Sequence, residues 1–156
     1  MLIGLKGSGK STIGALADQI IGIRFLRVEP IWVDYLSRDD RSRSGWEVVE
    51  EEIDKQFAIH DRVMIESLGA GEEFKAFHAS LSRKYPIKFI KVQADLETCL
   101  NRVKQRNTAN HIPISDERVE EINQIAQHVV YDWDLVIDNS GPAPASEIIK
   151  AITAIL

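Results

Sequence analysis

Cysteine is almost absent: Cys99 stands alone in a chain of 156 residues. No disulfide can form within the chain, so its fold has to rest on a hydrophobic core. The lone thiol, with no leader-like stretch after Met1, leads to the expectation of a reducing, cytoplasmic setting. Long apolar runs are missing too. The longest span a few residues against the roughly 20 that cross a bilayer, which excludes a membrane span. Basic charge is not in excess either: 19 Lys and Arg face 24 Asp and Glu, a formal net charge of −5. The overall field does not gather nucleic acid, and any polyanion has to be held by a local patch. His60, His78, His111 and His128 show no metal-ligand spacing and have no cysteine cluster beside them, so structural zinc is not expected. No internal repeat, low-complexity tract or Pro/Gly-rich linker divides the chain, and residues 1–156 are expected to form a single domain.

What the sequence does hold is a regular alternation. Hydrophobic residues make up 44% of the chain, and a chain of this size buries about 68–70% of its unfolded surface in one core. Short β-rich segments, at 1–3, 24–28, 63–66, 87–92 and 134–137, alternate with stretches at helical spacing. That is the pattern of an α/β fold with a parallel sheet covered by helices on both faces. Val63-Met64-Ile65 and Leu135-Val136-Ile137 are continuously apolar, as strands buried on both faces require. Helix stripes run through Val49, Ile53 and Phe57; Phe74, Phe77 and Leu81; Val119, Ile122, Ala126 and Val129; and Ile148, Ile152 and Ile155. Asp95 is placed to cap a helix through Leu96, Leu100 and Val103, and Ser115 to cap the next. The polar stretch 107–113 between those two helices reads as a loop. Cys99 is expected to pack as a small hydrophobe in its helix.

The chemistry is carried by Gly4-Leu5-Lys6-Gly7-Ser8-Gly9-Lys10-Ser11, which matches G-x-x-x-x-G-K-[ST], the Walker A pattern, between an apolar strand and a helical stretch over 10–21. Glycines let the backbone curl into a nest of inward-pointing N–H groups, and the following helix adds its positive dipole end. Such a loop grips a polyphosphate. Lys10 would reach the β- and γ-phosphates, and Ser11 would place its hydroxyl on Mg²⁺. The nucleotide-binding set is then Gly4, Lys6, Gly7, Ser8, Gly9, Lys10, Ser11 and Thr12.

With that loop the chain resembles the P-loop small-molecule and nucleotide kinases: adenylate kinase, shikimate and gluconate kinases, chloramphenicol phosphotransferase and the kinase domain of polynucleotide kinase. The resemblance implies a three-layer fold with a five-stranded parallel sheet in the order 2-3-1-4-5, ATP and Mg²⁺ as cofactors, an acceptor-binding region at about 30–60 and a lid at about 102–118. Arg102-Val103-Lys104-Gln105-Arg106 is similar to the Arg-x-x-x-Arg that opens the lid of adenylate kinases, where one arginine packs on adenine and the other meets phosphates, so the resemblance adds Arg102 to the nucleotide-binding set. Arginines four apart share a helix face, and guanidinium both stacks on rings and forks onto phosphate oxygens. The alternative is two solvated arginines on a charged helix. The resemblance also lets backbone in the loop 138–142 contact adenine.

On the acceptor side these kinases place a carboxylate just after strand two, where this chain has Glu29. Shikimate kinases carry Asp-x-Asp at that point, whereas this chain reads Arg27-Val28-Glu29 before Pro30, which speaks against shikimate. Glu29 is the candidate base, a strand-end pair with an arginine is its alternative, and Asp34 stands in reserve. Glu66 ends an apolar strand where a Walker-B-type carboxylate holds Mg²⁺. Ser67-Leu68-Gly69-Ala70-Gly71 resembles the glycine run of shikimate kinases and reads equally as a helix-entry turn. Arg38, Arg41 and Arg43, with Trp32, Tyr35 and Trp46, would suit an anionic acceptor carrying a ring. The plainer reading pairs those arginines with Asp39 and Asp40 in a solvated loop.

The expected activity is transfer of the γ-phosphoryl group of ATP to a hydroxyl or phosphate of a small, anionic acceptor, with Lys10, Glu29, Arg102 and Arg106 as the catalytic set and Ser11 and Glu66 on the metal. The alternatives are a 5′-hydroxyl polynucleotide kinase, against which the net charge counts, and a nucleotide-dependent switch, for which no Asn-Lys-x-Asp is present. The chain is expected to work as a monomer or homodimer.

Overall fold

The structure is a computed structural model and describes residues 1–39, 42–105, 114–141 and 143–156. Among these, β1 (Leu2–Ile3), β2 (Arg24–Leu26), β3 (Val63–Ser67), β4 (Ile90–Gln93) and β5 (Leu135–Asp138) form one parallel sheet in the order β2-β3-β1-β4-β5. This is the expected topology. The helices are α1 (Lys10–Ile21), α2 (Val28–Ser37), α3 (Gly45–Phe57), α4 (Glu72–Leu81), α5 (Leu96–Lys104), α6 (Asp116–Ala126) and α7 (Ala145–Ala154).

The short central strand is supported from both sides. Leu2 aligns with Glu66 and Ile90, and Ile3 with Ser67 and Lys91. Strand period sends the two side chains to opposite faces. Leu2 joins Ile13, Ala17, Phe25, Met64 and Val92 in the core under α1 and α7, while Ile3 joins Val49, Ile53, Ile65, Phe74 and Phe77 under α3 and α4. Both strand residues are fully buried, and each such side chain contributes roughly 1.5–3 kcal/mol by leaving water. A third, smaller cluster of Leu5, Ala94, Cys99 and Ala126 packs beneath the loop that follows β1.

Helix ends follow local chemistry. The Ser44 hydroxyl accepts from Glu47 N–H while the Glu47 carboxylate accepts from Ser44 N–H, a complete capping box for α3. Asp95 accepts from Thr98 N–H and Ser115 from Arg118 N–H, as their positions predict. Hydrogen bonds from the Thr98 N–H and hydroxyl hold the Asp95 carboxyl below its ordinary range.

Two strand boundaries differ from expectation by more than one residue. Strand two stops at Leu26 and Val28 opens α2, so Glu29, just beyond the strand as expected, sits in a first helical turn. Pro30 permits this, because a first-turn residue needs no N–H for the helix. Strand four starts at Ile90 and not 87, since the Phe89 N–H is taken by the Asp134 carboxylate at 2.7 Å. Among the described residues no helix is long and apolar enough to cross a membrane.

Candidate functional site

The Walker A loop runs from β1 into α1, and its glycines do what the pattern requires. Gly7 and Gly9 hold φ of 97° and 96°, a region costly for any residue with a Cβ. A Cβ on Gly7 would also collide with the Cys99 carbonyl, and one on Gly9 with the Asn139 amide. Gly9 closes the N-terminus of α1 without a side-chain cap, so the first N–H groups of that helix face the loop's mouth.

Three side-chain arrangements surround the loop. Lys10, 8% exposed, points its ammonium at the carbonyls of Gly4 (2.8 Å) and Leu5 (2.7 Å). The Ser11 hydroxyl lies 2.9 and 2.7 Å from the two carboxylate oxygens of Glu66 at the end of β3. Lys6 Nζ donates to Glu29 Oε1 at 3.0 Å, an ion pair whose side chains are 18% and 19% exposed.

The loop is also clamped from beneath. Asn123, on α6 and fully buried, accepts from Lys6 N–H (2.7 Å) through Oδ1 and donates through Nδ2 to Lys6 C=O (3.0 Å). Asn139, just after β5, donates to the Ser8 carbonyl at 2.7 Å. Neither asparagine was assigned this role from sequence. The available signal was a polar residue inside the α6 apolar stripe, where asparagine is a poor helix former unless it has a partner.

A cavity of about 350 Å³ joins these groups. It lies beyond the carboxyl ends of β1, β2 and β3, where open α/β sheets place ligands. Its floor is Lys6, Gly7, Gly9, Lys10 and Ser11, its charged wall is Glu29 and Glu66, and its apolar wall is Val28, Trp46, Leu68, Ala70, Ile114 and Ile122. Trp46 is held firmly, stacked on Phe77 at 4.5 Å and edge-on to Phe74 and Trp32. The Tyr131 hydroxyl donates to Gly69 C=O at 2.6 Å and fixes the turn after β3; burial pushes its pKa up. Arg118, missed in the sequence, also lines the cavity and pairs at its rim with Glu121 at 2.8 Å. The signal for it was a cation in a first helical turn, where acids are favoured.

The structure does not bring every candidate to this cavity. Asp34 lies on α2, paired with Arg38 in solvent, and is not in the lining. Thr12 is exposed on α1 and is likewise outside it. Arg38 and Arg43 are solvated as the plainer reading had it, with Asp34 and Glu51 as the partners shown; Asp40 and Arg41 lie outside the described residues. Arg102 is on α5 away from the lining, with Nη1 buried and without a hydrogen-bond partner among the described residues. Arg106 and His111, with the rest of 106–113 in the lid segment, lie outside the described residues. Among those described, no cluster of three or more His, Cys, Asp or Glu could hold a metal by protein ligands alone.

No protein-family model and no curated protein matches the sequence. Solved structures do match in fold. A sugar kinase from Janibacter sp. is 17% identical with a TM-score of 0.61, over 98% of this chain and 90% of that one. Deoxyadenosine kinase from M. mycoides with bound dATP is 16% identical with a TM-score of 0.57, over 98% and 96%. Shikimate kinase from Aquifex aeolicus is 22% identical with a TM-score of 0.55, over 99% and 93%. The chain therefore has the three-layer fold shared by the P-loop small-molecule kinases, along nearly its whole length.

Proposed function

We propose that this chain is a phosphotransferase that moves the γ-phosphoryl group of ATP to a hydroxyl of a small acceptor, with Mg²⁺ as its metal. One observation carries the proposal: a single cavity joins the Walker A nest, the Ser11–Glu66 pair and a second carboxylate, Glu29, to an apolar wall. The nest and the α1 N-terminus bind the β- and γ-phosphates, and Lys10 leaves the loop carbonyls to meet them.

Ser11 and Glu66 supply a hydroxyl and a carboxylate, the oxygen donors that suit Mg²⁺, which fills its other positions with water and phosphate. The metal would neutralise charge on the transferring group. Glu29 orients the acceptor hydroxyl and takes its proton as the oxygen attacks the γ-phosphorus; the bond to the β,γ-bridging oxygen breaks and ADP leaves. The region 30–60 provides the acceptor wall through Trp46. Arg102 and Arg106 open the lid at 102–118, which closes over the nucleotide and excludes water. Among the described residues the buried Nη1 of Arg102 has no hydrogen-bond partner, which supports a place for it beside an anion.

The test is ADP release from MgATP across a panel of D-ribose, D-glucose, adenosine, deoxyadenosine, D-gluconate and shikimate. One acceptor should stimulate turnover at least tenfold over the acceptor-free rate, and Lys10→Ala should abolish that stimulation while melting as a folded protein. Full activity in Lys10→Ala would sink the proposal.

A further inference from the structure

Lys6 is a second lysine in the phosphate loop, and both of its donors point away from the nest. Its backbone N–H is spent on Asn123 Oδ1 at 2.7 Å, and its carbonyl is occupied by Asn123 Nδ2 at 3.0 Å. With the peptide fixed in this way, the side chain runs across the cavity floor to Glu29, where Nζ and Oε1 are 3.0 Å apart. Lys10, four residues on, turns instead to the carbonyls at the start of the loop.

We propose that Lys6 belongs to the acceptor and not to the nucleotide: with Glu29 it receives two neighbouring oxygens of the acceptor, one of them the hydroxyl that is phosphorylated. This rests on the phosphotransfer reading of the same cavity. An ammonium carries three N–H donors, of which Glu29 takes one, so the pair presents donors and carboxylate oxygens side by side. A hydroxyl that donates to Glu29 while an adjacent oxygen accepts from Lys6 satisfies both ends. A vicinal diol, or a hydroxyl next to a ring oxygen, has this geometry. The Lys6 and Glu29 charges cancel one another, and Arg38 and Arg43 are paired elsewhere, with Asp34 and Glu51. The Trp46 ring, held by Phe77, gives the carbon skeleton of such an acceptor a flat apolar wall.

The role is one of specificity, and it separates from phosphate binding by experiment. Equilibrium titration with a fluorescent ATP analogue and Mg²⁺ should give Lys6→Met only the small loss that an uncompensated Glu29 charge causes, whereas Lys10→Met loses at least 20-fold. An equal loss in both variants would make Lys6 a phosphate ligand and overturn the proposal. With the acceptor from the panel that stimulates ADP release most, Lys6→Met should raise the acceptor KM at least tenfold and raise the ATP KM by much less. Lys6→Arg, which keeps a cation beside Glu29, should recover part of that loss. An unchanged acceptor KM in Lys6→Met would also overturn it. If the analogue binds but no acceptor stimulates the parent, the phosphotransfer reading fails, while the titration still decides whether Lys6 holds phosphate.

Discussion

Asn123→Ala is the substitution whose cost can be worked most directly from the structure. The amide lies fully buried and spans the Lys6 peptide with bonds of 2.7 and 3.0 Å. Each bond contributes about 1 kcal/mol net. Truncation also strands the Lys6 N–H and C=O beneath the loop, at about 1–3 kcal/mol each if they stay dry, less whatever a water entering the vacated space restores. We expect about 3 kcal/mol in all. For a domain of this length 1 kcal/mol moves Tm by about 2–4 °C, so Asn123→Ala should melt about 6–12 °C lower. Val119→Ala is the control, an apolar truncation four residues earlier on the same buried face. Urea unfolding should show both variants destabilised with unchanged slopes. At a temperature where both are folded, only Asn123→Ala should also bind the ATP analogue several-fold more weakly, because only it frees the loop. A Tm within 2 °C of the parent, or equal ATP affinity in the two variants, would refute the assignment of Asn123 as the clamp of the phosphate loop.

Gly7→Ala should be worse for the nucleotide than for the fold. Positive φ costs about 1–2 kcal/mol, and the Cys99 carbonyl blocks the new methyl, so ATP affinity should fall at least tenfold by titration. Glu66→Gln retains a hydrogen-bond acceptor for Ser11 and removes the charge; the Mg²⁺ concentration for half-maximal turnover should rise about 10- to 100-fold, with circular dichroism unchanged. His78, against Phe89 and Tyr131, has its pKa lowered by burial and, to a smaller extent, by the chain's amino group. Above about pH 6.5 it is neutral folded or unfolded, so stability is at its full value. As pH falls through the lowered folded value the unfolded chain protonates first and stability drops. His78→Gln should remove that component of the slope in urea unfolding between pH 5 and 8.

The sheet was legible in the sequence because its strands are short, β-rich and, apart from β2, each followed by a clear helix signal. Helix α1 runs over 10–21 as expected, with Gly9 at its start and Gly22 in a left-handed turn at its end. Asp95 and Ser115 cap the helices they precede. What escaped was contact between distant segments. Helix α2 was hidden by Pro30, which reads as a break until its place in a first turn is known. Asn123 lies 117 residues from Lys6, and nothing local to either announces the pair. Arg118 reaches the cavity only because α6 packs beside the loop, which periodicity places on a face but not against a partner. The arginine-rich stretch read either as an anion site or as a solvated loop, and Arg38 and Arg43 close exposed pairs with Asp34 and Glu51.

The way the loop is held bears on how strongly it can bind. A phosphate nest works through partial positive charge on converging N–H groups, and a carboxylate packed against the loop would offset part of that field. Beneath this loop the supports are neutral. Asn123 and Asn139 fix the Lys6 and Ser8 peptides through side-chain amides, and the backbone of Cys99 fills the space under Gly7. The two carboxylates that do approach are each engaged with a loop group: Glu29 with the Lys6 ammonium and Glu66 with the Ser11 hydroxyl. Glu29 thereby offsets Lys6, so the loop presents the charge of Lys10 and the α1 N-terminus to the phosphates without a second lysine competing for them. Two lysines four residues apart can then serve one cavity in different ways. The chain as a whole is acidic, so attraction for a polyphosphate has to come locally, from Lys10, the loop N–H groups and the α1 N-terminus.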